Sequence, residues 1–412
     1  MSGIHAGNIE DEKKARLPMR DWILLPVIAL LTIILLAAST ELTARWLFPV
    51  SQTDLKNCYL EDDASGDAPA KPDSVCTERI AESPFPVEYH YDLRGHRAGA
   101  ELGPKRPDAM RIVMLGSSMA FGLYIPEQMT FAALLPGELS RRTGRNVQLY
   151  NESTGGMFRG GPFPIKDSIL GFPTVVSAAP DLILWIITPM DIEDSEQGAP
   201  ALKPKIPNGE GRAQMGTSVG THGIWSRLGN SMARGTVWTK LRSRWEQSRS
   251  FLVLEHYLIA NESPNQYAES YLQNGIDADF LKTEPGAQWQ NLLKNFEGQA
   301  EAFEKQAGEA KIPFVAVLLP NRAQAAMIST NSWPRGYDPY KLDEELRAVI
   351  EDHGGTFVDV LPDFRSEPDP WIHYFPVDGH LNVQGHAMVS RMLAKELTAG
   401  AVPLLTTAAH PR

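Results

Sequence analysis

Apolar positions along this chain fall into three regimes. Near the N-terminus, Trp22 to Ala38 is apolar and uncharged, close to the roughly 20 residues that cross a bilayer as a helix. From residue 41 to about residue 108 the pattern is mixed and loop-rich, with Asp, Pro and Gly clustered between Glu61 and Ser74. From Arg111 onward, short apolar runs alternate with longer helical ones. Runs at 112–115, 146–150, 181–187, 313–319 and 357–360 read as strands. Helical patterns occupy 128–143, 288–309, 340–352 and 383–398, the last placing Val389, Leu393 and Leu397 on one stripe. Residues 168–177 are a weaker helix candidate, interrupted by Gly171 and Pro173. Strands alternating with helices predict an α/β fold, a parallel sheet covered on both faces.

Residues 192–287 break this rhythm. Pro- and Gly-rich stretches lead to Trp225, Trp238 and Trp245 near a basic helical patch of Lys240, Arg242 and Arg244. The tryptophans either anchor this insertion to the core or form a platform on which sugar rings stack. The expected organisation is a cytoplasmic N-terminus (1–21), a transmembrane anchor (22–39) and an exported stalk and N-terminal flap (40–108). Next come an α/β domain (109–400) carrying the 192–287 insertion, and a tail (401–412).

Charge sets the orientation. Lys13, Lys14, Arg16 and Arg20 precede the apolar run, so the positive-inside rule leaves the N-terminus in the cytoplasm and exports the body of the chain. The competing reading is a signal peptide cleaved near Ala37-Ala38-Ser39, which also exports the body. The two cysteines, Cys58 and Cys76, lie in the exported part and are expected to pair, adding on the order of 3 kcal/mol by loop-closure entropy. Lys+Arg 39 against Asp+Glu 50 gives a net charge of −11 without a long block of either sign, which argues against nucleic acid as a partner. No metal-ligand cluster, phosphate loop or dinucleotide fingerprint stands out, so neither metal nor cofactor is expected.

The chemistry concentrates at two places. The 112–115 run ends at Gly116, where Ser117-Ser118 meets a tight turn, and a serine there lies at the sheet edge where α/β folds bind ligands. Far along the chain, Asp378-Gly379-His380 precedes the final helix. A serine hydroxyl needs a base, and the base needs an orienting group. Asp378 and His380 could supply both, since positions i and i+2 of an extended segment point the same way. The competing readings are hydroxyls that cap the turn after Gly116 and an Asx-type turn with Asn382 as helix cap.

Gly116-Ser-Ser-Met-Ala-Phe-Gly122 resembles the Gly-Asp-Ser-x-x-x-Gly first block of SGNH (GDSL-type) hydrolases, and residues 373–386 resemble that family's last block. The stretches Val87 to Arg97 and Pro126 to Leu135 are similar to membrane-anchored bacterial members associated with exopolysaccharide systems. The likeness covers roughly residues 85–190 and 288–398. It implies an SGNH-hydrolase-like (flavodoxin-like) three-layer fold preceded by one transmembrane helix. It further implies Ser118 as nucleophile (Ser117 being the alternative), His380 as general base and Asp378 as its partner, with oxyanion donors from the Ser118 N–H and Gly156 (or Gly155). The third block resembles Thr188-Pro-Met-Asp191, where the family has Asn at the position of Met190. Methionine cannot donate a hydrogen bond, and losing one oxyanion donor costs about 100- to 1000-fold in rate. Thr188 or a residue from the insertion could compensate, and Asp191 could order the site or merely cap the next segment.

The expected function is therefore a serine-dependent O-acyl, in particular O-acetyl, esterase or acetyltransferase on a cell-envelope or exported polysaccharide. Its expected location is single-pass in the inner membrane, with the catalytic domain periplasmic or extracellular and polysaccharide-assembly proteins as possible partners. The alternatives are a non-catalytic polysaccharide-binding or assembly subunit, and a lipid or thioester hydrolase at the membrane surface.

Overall fold

A run of apolar residues with no charge to interrupt it folds as one long helix, α1 (Asp21–Leu47). The computed structural model describes residues 20–47, 56–58, 70–80, 82–83, 85–97, 103–154, 172–193, 248–273 and 275–406. Its described residues divide into two units, one holding α1 and Ser248–Ser250 and the other the remainder. The 27 residues of α1 would span about 40 Å at about 1.5 Å per residue, and the helix is long and apolar enough to cross a membrane. Hydroxyls along it turn inward on the backbone, with Thr32 donating to the Ile28 carbonyl, and Ser39 and Thr40 to that of Leu36. That leaves fewer polar groups to be solvated along an apolar surface.

In the second unit, β1 (Val75–Glu78) and β2 (Val87–His90) form an antiparallel hairpin. A disulfide joins Cys58 to Cys76 with Cα atoms 5.9 Å apart. This flap has a small core of its own, in which Val87, Tyr89 and Tyr91 pack with Phe121, Leu123, Tyr124, Ile125 and Phe375.

Five further strands build the main sheet. They are β3 (Ala109–Gly116), β4 (Asn146–Asn151), β5 (Leu182–Ile187), β6 (Phe314–Leu318) and β7 (Thr356–Phe357). All pair in parallel in the order β4-β3-β5-β6-β7. Numbered from one, this is the 2-1-3-4-5 order of flavodoxin-like sheets. β3, β5 and β6 are buried at every position, as an apolar strand covered on both faces must be.

The helices follow in chain order as α2 (Ser118–Phe121), α3 (Phe131–Thr143), α4 (Phe172–Ser177), α5 (Pro189–Glu193), α6 (Arg249–Ala260) and α7 (Pro264–Tyr271). Then come α8 (Ala287–Glu309), α9 (Arg322–Thr330), α10 (Lys341–Asp352), α11 (Leu361–Ser366) and α12 (Val383–Leu397). Right-handed crossovers in this strand order put the first and last major helices on one face and the middle ones on the other. Accordingly α3 packs on α12, and α8 packs on α10. Trp185 of β5 lies at ring-centroid distances of 5.4, 5.7 and 5.6 Å from Phe296, Phe303 and Phe314, locking α8 to the sheet.

The expected elements recur with shifted ends. β3 starts earlier than the apolar run because Arg111 is buried and donates to the carbonyls of Ala178 and Gly103. The last strand pairs over only two residues, not 357–360, since the Asp359 carboxylate accepts from Leu361 N–H and turns the chain. Of the 192–287 segment, residues 194–247, with all three tryptophans, lie outside the described residues. The part beyond them is helical, and Ile259, Tyr267, Ala268 and Tyr271 belong to the main core.

Candidate active site

Glycine at two positions shapes the turn that ends β3. A Cβ on Gly116 would lie 2.6 Å from the Ala120 Cβ and 2.8 Å from the Ile186 carbonyl oxygen. Gly122 closes the single turn of α2 in the left-handed region (φ 78°), and a Cβ there would meet Thr130 at 2.4 Å. The glycines of the first block are thus needed for close approach, and Ser118 stands at the first position of α2. Its N–H has no acceptor within so short a helix.

Asp378 and His380 arrive from the opposite end of the sequence on a turn, not on the extended segment that the i, i+2 argument assumed. Gly379 is left-handed (φ 86°), and the turn closes through Phe375 N–H to the His380 carbonyl (2.7 Å) and Gly379 N–H to the Phe375 carbonyl (2.9 Å). The Asp378 carboxylate accepts from His380 N–H at 3.1 Å, an Asx-type turn that draws the imidazole over the carboxylate. His380 Nδ1 lies 2.6 Å from Asp378 Oδ1 and its Nε2 lies 2.7 Å from Ser118 Oγ. With the hydrogen on Nδ1, the ring donates to Asp378 and accepts from the serine hydroxyl. Burial pulls the His380 pKa down, but the charge and hydrogen bond of Asp378 outweigh it and leave it raised.

The neighbouring serine is engaged elsewhere. Asp191 is buried and accepts from Thr188 N–H at 2.6 Å and from Thr188 Oγ1 at 2.8 Å, with the Ser117 hydroxyl near enough to help hold its charge. Burial raises its pKa to about 6 against the pull of these three donors. The Thr188 hydroxyl therefore spends its one proton on Asp191, and does not supply the donor that Met190 lacks. Met190 itself is 40% exposed and lines the cavity beside Ser118. Gly155 and Gly156 lie outside the described residues.

His386, one turn into α12, is buried against Phe131 (ring centroids 5.2 Å) and accepts from the Phe131 N–H at 3.1 Å. Burial, with help from Arg97 and His380, lowers its pKa to about 3, so it stays neutral. Asn382 caps α12 by accepting from Gly385 N–H at 3.0 Å.

A cavity of about 140 Å³ opens beside the Ser118–His380 pair, walled by Met190, Tyr267, Tyr271, Asn321 and Arg322. Arg322 is buried between the rings of Tyr267 and Trp371 (4.0 and 5.0 Å to the centroids) and donates to the Pro376 carbonyl at 2.5 Å. Among the described residues no group of three or more His, Cys, Asp or Glu is arranged to hold a metal ion.

Four further residues frame the site, and of these only Arg97 falls in a stretch that the sequence singles out, Val87 to Arg97. Glu82 accepts from the backbone N–H groups of Val377 and Asp378, and Arg97 donates to the carbonyls of Phe121, Gly122 and Ile125. Arg322 holds the Pro376 carbonyl, and Tyr124 (φ 64°) sets its ring edge-on to His380 at 5.6 Å. Each is a lone residue whose role depends on tertiary contact.

No family model matches the sequence, and no curated protein matches it either. Several solved structures are similar to the chain. The crystal structure of TesA shares 11% identity over 70% of this chain and 98% of its own, with a TM-score of 0.33. A protein assigned as an arylesterase, from Agrobacterium tumefaciens str. C58, shares 14% over 69% and 96% with a TM-score of 0.32. One assigned as an SGNH hydrolase, from Slackia heliotrinireducens, shares 14% over 70% and 99% with a TM-score of 0.28.

Proposed function

We propose that this protein is a serine-dependent O-acyl, in particular O-acetyl, esterase or acetyltransferase acting on a cell-envelope or exported polysaccharide. The observation that carries the reading is the unbroken hydrogen-bond chain from Ser118 through His380 to Asp378, at 2.7 and 2.6 Å, opening on a small cavity. In this reading Ser118 Oγ attacks the ester carbonyl while its proton passes to His380 Nε2. Asp378 stabilises the imidazolium. As the tetrahedral intermediate collapses, the leaving alcohol takes that proton, and the acyl group remains on Ser118. Water or a sugar hydroxyl, deprotonated by the same imidazole, then takes the acyl group and frees the serine.

The size of the cavity supports a short acyl group. The apolar helix and the disulfide support a protein anchored in the inner membrane with residues 40–412 on its outer side, where thiols oxidise. Such an anchor would also hold the site near polysaccharide-assembly proteins.

One observation favours the second reading, a non-catalytic polysaccharide-binding or assembly subunit. The position where an oxyanion donor is expected holds Met190, and the Thr188 hydroxyl beside it is already committed to Asp191. Turnover of p-nitrophenyl acetate by the full chain in detergent decides between them. Loss of turnover in both Ser118→Ala and His380→Ala, with Ser117→Ala retaining most of it, supports the enzyme. Absence of turnover in the wild type, with polysaccharide binding equal in wild type and Ser118→Ala, supports the binding subunit.

A further inference from the structure

The turn that carries Asp378 and His380 is gripped from two sides by charged side chains that the proposed reaction does not use. Internally it satisfies the N–H groups of Phe375, Gly379 and His380. Pro376 has none, which leaves Val377 and Asp378 with N–H groups directed away from the turn. Glu82 takes both. Its carboxylate accepts from Val377 N–H at 3.0 and 3.2 Å and from Asp378 N–H at 2.8 Å. On the other side, Arg322 takes the Pro376 carbonyl at 2.5 Å. An anion on the N–H side and a cation on the carbonyl side complement the dipole of the peptide units between them.

Glu82 is itself held. Its side chain is 7% exposed, and His256 of α6 brings Nδ1 to 2.6 Å from its Oε1. A buried carboxylate needs such partners, since an unpaired one is strongly disfavoured. Bound to the Asp378 N–H, it also shares that residue with the Asp378 carboxylate, a like charge. That arrangement is stable only because two N–H groups and the imidazole of His256 converge on it. The bonds from Glu82 fix the backbone at Asp378, whose side chain fixes the His380 ring.

We propose that Glu82 is a positioning residue for the acyl-transfer step, holding the Asp378–His380 turn in register with Ser118 from the N-terminal flap. This rests on the serine–histidine reading of the site. The flap reaches the nucleophile as well. Arg97 lies buried over Tyr89 and Phe121 and donates to the carbonyls of Phe121, Gly122 and Ile125, where the chain leaves α2. Two ends of the chain more than 250 residues apart meet at the 2.7 Å Ser118–His380 contact, and one flap grips both. A displacement of about 1 Å between reacting groups costs on the order of 100-fold in rate.

The test is Glu82→Gln in the full-length protein, with His256→Ala as a milder variant that leaves the carboxylate in place. Glutamine keeps the size but presents one acceptor oxygen to two N–H groups. Three measurements are made: the rate of Ser118 labelling by a fluorophosphonate (followed by intact mass), the 15N titration of His380, and the thermal midpoint. Labelling is expected to slow by roughly 10- to 100-fold in Glu82→Gln and by a few-fold in His256→Ala. The His380 titration midpoint should fall toward that of a free imidazole as Asp378 loosens, with the thermal midpoint changed by a few degrees at most. Unchanged labelling and titration in Glu82→Gln, or changes that merely track the loss of fold, overturn the proposal. A wild type inert to the fluorophosphonate whose His380 titration still responds to Glu82→Gln instead sinks the serine reading and leaves the positioning role standing.

Discussion

Replacing Asp378 by Asn separates charge from orientation, because this carboxylate does two things with one atom. Oδ1 accepts from His380 Nδ1 at 2.6 Å and from the His380 backbone N–H at 3.1 Å. In Asp378→Asn only the amide oxygen can accept from that backbone N–H. The amide therefore keeps its oxygen in place and turns its NH2 away, and the Nδ1–H tautomer survives with Nε2 still facing Ser118. What disappears is the charge. A carboxylate and an imidazolium about 4 Å apart attract by about 4 kcal/mol at an effective dielectric constant of about 20. That caps the expected loss in kcat/KM at about 1000-fold. Asp378→Ala loses the tautomer lock as well, and should fall by about a further tenfold.

The pH profile gives an independent check. In the wild type the Asp378 charge and hydrogen bond hold the His380 pKa above its ordinary value, against the downward pull of burial. On the proposed reading the neutral imidazole is the base, so kcat/KM rises as pH climbs through that pKa. Without the charge the pKa falls, and the acid limb of the profile moves to lower pH in Asp378→Asn. The assay is hydrolysis of p-nitrophenyl acetate across pH, beside 15N spectra that report which ring nitrogen carries the hydrogen. Equal losses in the Asn and Ala variants, hydrogen on Nε2 in Asp378→Asn, or an acid limb that stays put would refute the reasoning.

Met190→Asn should raise kcat about tenfold by restoring a donor at the oxyanion, short of the roughly 100-fold or more of a pre-organised one; unchanged kcat would mean the oxyanion lies elsewhere. Glu304 is buried with neither oxygen hydrogen-bonded, and burial raises its pKa from the ordinary 4.5 to about 8. The folded state then holds a proton that the unfolded chain releases, so stability falls as pH rises from about 4.5 to about 8. Glu304→Gln should remove on the order of 2 kcal/mol of that fall in urea unfolding compared at pH 5 and pH 9. A pH slope identical to wild type counts against it. The disulfide closes a segment with 18 residues of sequence separation, and Cys58→Ser/Cys76→Ser should cost about 3 kcal/mol in the same unfolding assay. A loss below about 1 kcal/mol would mean that the flap's packing, not the loop closure, holds it.

Periodic features were readable in the sequence, and features made by single contacts were not. The five strands and the helices α3, α8, α10 and α12 each bury a stripe or a whole run, which leaves a pattern of apolar positions. α9 left none, because Arg322 through Ile328 are all buried and a helix without a polar face has no amphipathic signature. α7 did carry a legible mark, the capping box from Ser263 to Gln266, inside a segment whose composition reads as irregular. Arg111 reads as the end of an apolar run although the strand continues through it, since its guanidinium finds carbonyls in the interior. Glu82 is a lone charge in a loop, and nothing local distinguishes it from a solvated residue.

The paired serines show how tertiary structure resolves what the motif leaves open. Ser117 and Ser118 are chemically identical and adjacent, and either could follow Gly116 as a nucleophile. Their surroundings make them different. Beside Ser117, the Asp191 carboxylate, its pKa raised by burial to about 6, takes the Thr188 hydroxyl and N–H, and the Ser117 hydroxyl only helps to hold its charge. The Ser118 proton lies instead on a base whose pKa Asp378 holds above its ordinary value. Proton transfer from a serine to an imidazole that its carboxylate can then stabilise is more favourable than transfer to a carboxylate with no second charge to compensate it. Asp191 also occupies Thr188, which among the described residues is the hydroxyl next to Met190. On the proposed reading, Ser118 is the serine that the His380–Asp378 pair activates, while Asp191 holds the Thr188 hydroxyl away from the oxyanion.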